Sequence, residues 1–158
     1  IGMTEDGYSA LSAPIQQHIA KADHVIAANR FHAGLPDGPQ IEDWPSPFTD
    51  IFTRIKALDG RKLVLLATGD PLWYGAGASI LRKLGADKCE IICSVSGFQM
   101  AATRMGWPLA GCQTLSIHGR PVEGVLPNLC PRARLLLLTE NGKSLARVAN
   151  LFFASVMW

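Results

Sequence analysis

The residues best suited to chemistry stand together in Thr68-Gly69-Asp70-Pro71-Leu72-Trp73-Tyr74-Gly75, which leaves an apolar run and enters a segment whose first turn holds Gly75 and Gly77. Glycines in such a loop let the backbone approach a ligand closely, and Pro71 stiffens the turn. Asp70 is placed either to cap the following turn or to accept hydrogen bonds from a ligand, and the loop alone leaves both readings open. A second glycine cluster, Ile1-Gly2-Met3-Thr4-Glu5-Asp6-Gly7, stands where the end of a first strand is expected. It reads equally well as a plain turn.

Three nucleotide and hydrolase signatures fail on spacing. Gly142-Lys143-Ser144 ends like a P-loop, but the glycine required five residues before Gly142 is Leu137, so the phosphate cradle is absent. Gly75-Ala76-Gly77 is followed by Ile80 where a dinucleotide fingerprint needs its third glycine. Ser96-Gly97 lacks the preceding glycine of a nucleophile elbow, the position being Ser94.

Among the other reactive side chains, His118 beside Gly119-Arg120 at a strand end is the histidine with a site context; His18, His24 and His32 read as surface or helix residues. Trp44, Trp73 and Trp107 read as core aromatics, with a loop context arguing otherwise for Trp73. The four cysteines, Cys89 and Cys93 on one apolar stretch among them, form neither a disulfide framework nor a zinc site. Free thiols buried in the core are expected.

The elements that position these residues alternate. Residues 9–28 carry helical periodicity through Ile15, Ile19, Ala22 and Ile26 and run into a short strand at 23–26. Residues 34–47 are rich in Pro, Gly and Asp and read as a loop, residues 47–58 as a helix, and residues 61–67 as a strand buried on both faces. A helix over 75–84, a buried strand over 89–94 and a helix over 98–105 stopped by Gly106-Trp107-Pro108 follow. This strand, loop, helix order predicts an α/β fold: a parallel sheet with right-handed crossovers and its ligand at the carboxyl ends of the strands. A second, smaller unit starts near Cys112, with strands at 114–117 and 133–139 and a helix at 122–129, giving lobes of 1–111 and 112–158. At the end, 145–152 reads as helix and 154–158 as strand with no turn between, a junction that points to residues absent near Phe152.

The 158 residues, 48% of them hydrophobic, suffice for one sizeable core, and a formal net charge of +2 with 18% charged residues argues against a nucleic-acid partner. The longest apolar runs fall far short of the ~20 residues that span a bilayer. No signal-peptide pattern opens the chain, although the opening is abrupt enough for a leading segment to be missing; no membrane partner and a cytoplasmic location are expected.

The opening Gly2-Met3-Thr4-Glu5-Asp6-Gly7, the Ala67-to-Gly75 loop, Ser94-Val95-Ser96-Gly97-Phe98, Gly106-Trp107-Pro108-Leu109 and Leu115-Ser116-Ile117-His118-Gly119-Arg120 occur in the order found in precorrin-6Y methylases. Over nearly its whole length the chain resembles that branch, the cobalt-precorrin C(5)-methyltransferase type, of the tetrapyrrole (class III) methyltransferases. The G-D-P-x-x-Y-G loop is common to the superfamily, whereas the Gly-Trp-Pro-Leu and Ser-x-His-Gly-Arg segments point to the branch.

The resemblance implies a two-lobed α/β tetrapyrrole methylase fold with a parallel-sheet N-terminal lobe and a smaller, incomplete C-terminal α/β lobe. It implies S-adenosylmethionine as cofactor, a precorrin as anionic substrate, methyl transfer to a ring carbon in cobalamin biosynthesis, a homodimer, and fusion to or pairing with a decarboxylating domain. A methylase of another ring position, or a non-catalytic domain with a decayed cofactor pocket, is the alternative. Carried over position by position, Thr68, Gly69, Asp70, Trp73, Ser96 and Gly97 match cofactor contacts, with Thr139 as a further one after Leu138. His118 and Arg120 are the substrate-binding candidates, Arg30 and Arg104 following, because guanidinium groups pair with the carboxylates of such a substrate. No catalytic residue and no metal site are assigned.

Overall fold

The computed structural model describes residues 1–156. Its elements in chain order are β1 (Gly2–Met3), α1 (Ala13–Ala20), β2 (His24–Ala27), β3 (Gln40–Asp43), α2 (Ile51–Ala57), β4 (Leu63–Leu65), β5 (Ala67–Thr68), α3 (Ala76–Leu84), α4 (Gly97–Met105), β6 (Gln113–Ser116), β7 (Leu135–Leu138) and α5 (Gly142–Val156), with short 3-10 turns between them. The contacts divide the chain into two compact units, Ile1–Ser96 and Gly97–Trp158.

In the first unit β3, β2 and β4 pair in that order, all parallel, and β1 pairs parallel with β5. β4 and β5 are successive stretches of one extended run interrupted at Leu66. The Leu66 amide donates to the Ile26 carbonyl (2.8 Å) and the Ala67 amide to the Ile1 carbonyl (2.9 Å), so the run turns one edge to β2 and the other to β1. Beyond β1, the Gly2 amide reaches the Ile92 carbonyl at 2.7 Å. From β1 the chain passes over to the β2 side, and from β5 it passes to the Ile92 side. Adjacent strands whose connections leave in opposite directions form a switch point, and the crevice of an open α/β sheet lies at the carboxyl ends of such strands.

A core of Met3, Ile19, Val25, Ala27, Phe31, Val64 and Leu66 holds the unit together, with Met3, Ile19 and Val25 fully buried. Burying each such side chain contributes about 2 kcal/mol. The amide of Gln16 on α1 is shared by the carbonyls of Tyr8 (3.2 Å), Ser9 (3.3 Å) and Leu11 (2.9 Å), while the Tyr8 hydroxyl donates to the Gln16 carbonyl at 3.1 Å. These bonds tie the chain that follows the first glycine cluster to α1.

Several expectations are corrected. The loop expected over 34–47 contains β3, an edge strand whose polar residues hide it from a hydropathy reading: Gln40 and Asp43 are exposed and Glu42 is held by Arg54. Residues 89–94 form no strand ladder; β1 offers only two residues to pair with, and the Gly2–Ile92 bond is the contact made. The 61–67 run is not buried on both faces, since Val64 and Leu66 are buried but Leu63 and Leu65 only half so, facing a cavity of about 630 Å³ bounded by α2, α3 and residues 88–92. The cysteines are free but not core: Cys93 and Cys130 are exposed and Cys89 and Cys112 half-buried. His24 is no surface residue, its side chain being 13% exposed at 3.4 Å from Glu42.

The second unit pairs β6 with β7 in parallel, Gln113 opposite Leu135 through Ser116 opposite Leu138. Ile117, Val122, Val125 and Val148 form its core. α4 ends in a Schellman motif: Gly106 has φ +61°, its amide donates to the Thr103 carbonyl (3.1 Å), and the Trp107 amide donates to Ala102 (2.9 Å). The strand expected over 154–158 is replaced over 154–156 by the last turn of α5, which continues the helical pattern begun at Gly142; positions 157 and 158 lie outside the described residues. Among the described residues no helix is long and apolar enough to cross a membrane.

Candidate active site

Met3 and Thr68 are register partners at the carboxyl ends of β1 and β5, so the two glycine-rich loops leave the sheet side by side at its switch point. The Gly69 amide donates to the Met3 carbonyl at 2.6 Å, and Gly69 turns the chain with φ +68°. Glycine takes that conformation without the Cβ clash that other residues meet. The Asp70 carboxylate accepts the Leu72 amide through Oδ1 (2.8 Å), and the Trp73 amide donates to the Asp70 carbonyl (3.2 Å). The turn-closing role of Asp70 is thus seen through one oxygen, and Oδ2 has no hydrogen-bond partner among the described residues. Pro71 is buried, Trp73 half-buried, and Tyr74 sits at φ +59°, a strained conformation for an aromatic residue.

Thr68 is exposed and its hydroxyl accepts a hydrogen bond from Arg30, whose Nη2 and Nε also hold Glu5 at 3.3 Å each. The Arg30 guanidinium lies 4.5 Å over the Phe31 ring. Arg30 thus ties the two loops together, a role the sequence reading, which set it among substrate ligands, did not include. Ser96 is 4% exposed and closes the first unit.

In the second unit Gly97 opens α4, exposed, with open space where a Cβ would stand. His118, Arg120 and Thr139 come to one end of the β6–β7 pair, because Ser116 is opposite Leu138 and the Ile117 amide donates to the Leu138 carbonyl (2.9 Å). His118 and Arg120 are exposed and Thr139 half-buried. The His118 amide donates to the Ser116 hydroxyl (3.3 Å), and Gly119 at φ +63° turns the chain so that the Arg120 amide meets the Ile117 carbonyl (3.3 Å). Next to them lies a cavity of about 480 Å³ reached by Arg120, Ser144 and Arg147. Arg104 lies exposed on α4, and the sequence reading passed over Ser144 and Arg147; their spacing of three on a helix that follows a strand end was the signal available.

Glu42 is a titratable side chain shifted by its neighbours. The hydrogen bonds from Arg54 Nε (2.8 Å) and Nη2 hold its carboxyl below the ordinary value, against the opposing effect of partial burial and with a smaller contribution from His24. This cluster braces the β3 edge, away from the loops.

The first unit is thus a parallel α/β sheet whose glycine loops stand at the carboxyl ends of β1 and β5, where ligands of open α/β sheets bind. The chain belongs to the tetrapyrrole (corrin/porphyrin) methylases, whose family pattern matches residues 16–156. It is 34% identical over 158 residues to a precorrin-6Y C(5,15)-methyltransferase [decarboxylating] of Sinorhizobium sp, covering 98% of this chain and 38% of that protein. With the protein of the same description from Mycobacterium tuberculosis it shares 29% identity, over 90% of this chain and 40% of the other. With a cobalt-precorrin-7 C(5)-methyltransferase of Salmonella typhimurium it shares 27%, over 78% and 62%. The chain thus spans about two fifths of the length of the first two relatives. A crystal structure of cobalt precorrin-4 methyltransferase, a cobalamin biosynthetic enzyme, overlaps 73% of this chain and 55% of its own at 21% identity and a TM-score of 0.49.

Proposed function

We propose that this chain is the methyl-transferring part of a protein that methylates a ring carbon of a precorrin in cobalamin biosynthesis. The observation that carries the reading is the Met3–Thr68 pairing, which sets the Gly69-Asp70 turn at the switch point of the sheet in a chain of this family. S-adenosylmethionine, the methyl donor of these methylases, supplies a methyl group on a sulfonium whose leaving thioether is neutral.

The residues present fit such a donor. In the first unit Asp70 Oδ2 is an open acceptor for the donor's hydroxyl or ammonium hydrogens and the half-buried Trp73 offers an apolar wall; Gly97, in the second unit, has open space where a Cβ would stand. Thr68, Gly69, Ser96 and Thr139 complete the proposed cofactor contacts, and His118 and Arg120 the substrate contacts. Because the leaving group needs no proton, the chain's main contribution is positioning, worth about 7 kcal/mol or more for well-oriented reactants. Asp70, already engaged in its turn, serves first as a binding group; it and His118, exposed at its strand end, are the two candidates to accept a proton from the methylated carbon, and neither is assigned that role.

The lobe boundary at residue 111, a homodimer, a cytoplasmic location and a decarboxylating domain joined to this one belong to the same proposal. The last draws on the names and greater length of the relatives.

Calorimetric titration with S-adenosylhomocysteine, wild type against Asp70→Ala, tests the reading, followed by transfer of labelled methyl to precorrins. Micromolar binding weakened by the substitution is expected. No binding by the full-length protein sinks it.

A further inference from the structure

We propose that the second unit carries a carboxylate-binding pocket built from Arg147, Arg120 and Ser144 at the start of α5. It rests on the methylase reading and adds Arg147 and Ser144 to the cavity that Arg120 already lines.

The cavity of about 480 Å³ is reached by Gly119, Arg120, Glu123, Glu140, Ser144 and Arg147. Three observations fit an anionic occupant. Ser144 is 9% exposed, lines the cavity, and its hydroxyl has no hydrogen-bond partner among the described residues. Since that oxygen is not among the buried polar atoms left without a partner, it opens onto the cavity, where it can hydrogen-bond a ligand oxygen in place of solvent. Arg147, one turn further along α5, has no ion-pair partner among the described residues, although its guanidinium can grip a carboxylate with two parallel hydrogen bonds. The two face the cavity from the first turns of a 15-residue helix, where the helix dipole favours negative charge.

The helix start is already capped, since Asn141 Oδ1 accepts the Lys143 amide (3.0 Å) and the Asn141 carbonyl the Ser144 amide (3.1 Å). Recognition therefore falls to side chains. Gly119 at φ +63° turns the chain and brings Arg120 to the same cavity. Glu123 and Glu140 also line it and offset the two arginines, so the pocket selects by directed hydrogen bonds more than by net charge. The carboxylate comes from the polycarboxylate tetrapyrrole or from the amino-acid end of the methyl donor.

The test titrates the complete protein with uroporphyrin I, an eight-carboxylate tetrapyrrole, and separately with S-adenosylhomocysteine, comparing wild type, Arg147→Ala, Arg147→Lys and Ser144→Ala. The expected result is uroporphyrin affinity about tenfold weaker in Arg147→Ala, partly restored in Arg147→Lys and a few-fold weaker in Ser144→Ala, with unchanged melting temperatures. If the affinity for S-adenosylhomocysteine falls instead, the pocket stands and its carboxylate is the donor's. If neither affinity falls with Arg147→Ala, the pocket is overturned. Wild-type protein that ignores S-adenosylhomocysteine while uroporphyrin binding still depends on Arg147 sinks the methylase reading and leaves the pocket standing.

Discussion

Gly2 and Gly69 pack so closely that a Cβ on Gly2 would stand 2.1 Å from the Gly69 carbonyl oxygen and 2.7 Å from the Ser94 amide nitrogen. These neighbours are backbone, so they cannot swing aside. Gly2→Ala is expected to destabilise the protein by roughly 2 kcal/mol or more, the cost of overpacking a rigid site, and to shift the Gly69-Asp70 turn. Urea denaturation measures the first effect and S-adenosylhomocysteine titration the second. Gly97→Ala is the control: with nothing within 4 Å of its Cβ, it should leave stability within about 0.5 kcal/mol and weaken only ligand binding.

Asp70 divides its two oxygens between the Leu72 amide and open space, so two substitutions separate the roles. Asp70→Asn keeps an acceptor for Leu72 and should melt like wild type while binding S-adenosylhomocysteine about tenfold more weakly. Asp70→Ala removes both oxygens and should lower stability by about 1 kcal/mol as well. Equal binding by wild type and both variants would remove Asp70 from the site.

The Glu42 carboxyl, held below its ordinary value of 4.5 chiefly by the Arg54 hydrogen bonds, contributes stability that is present above that value and lost as pH falls through the lower folded one. Glu42→Gln does not titrate. The gap between wild type and Glu42→Gln in urea midpoint should therefore be widest near pH 7 and narrow as the pH falls below 4.5. A gap independent of pH would mean that the Arg54 pair adds nothing to folding.

Gly106 ends α4 at φ +61° with nothing within 4 Å of a Cβ. Gly106→Ala meets conformational strain and no clash, so a loss of about 1 kcal/mol is expected, seen as a lowered melting temperature. A loss much larger than this would point to a contact at the turn beyond its backbone conformation.

Periodicity placed α1, α2, α3, α4, β4, β6, β7 and the middle of α5 because each carries its own apolar pattern or stop signal, such as Gly106-Trp107-Pro108 after α4. It missed β3, whose residues become a strand only because β2 lends one edge and Arg54 neutralises Glu42. It overstated 89–94, an apolar stretch that finds a single bond from Gly2 instead of a ladder. At the site, Asp70 was legible as a turn-or-ligand residue from its place between Gly69 and Pro71. The tie from Arg30 to Glu5 and Thr68 was not, since it joins positions 25 and 38 residues apart.

By itself the sequence determined the alternation of apolar runs, glycine loops and helical patterns, and with it an α/β fold, the family and the glycine loop proposed to hold the cofactor. These are local properties, written in residue type and spacing. Tertiary structure decided which strands pair, and so that Met3 stands opposite Thr68; it also decided that one Asp70 oxygen is spent and the other open, and that Ser144 and Arg147 share a cavity with Arg120. The reason is physical: pairing and burial depend on which distant backbone edges and side chains meet, and residue spacing along the chain does not encode those distances.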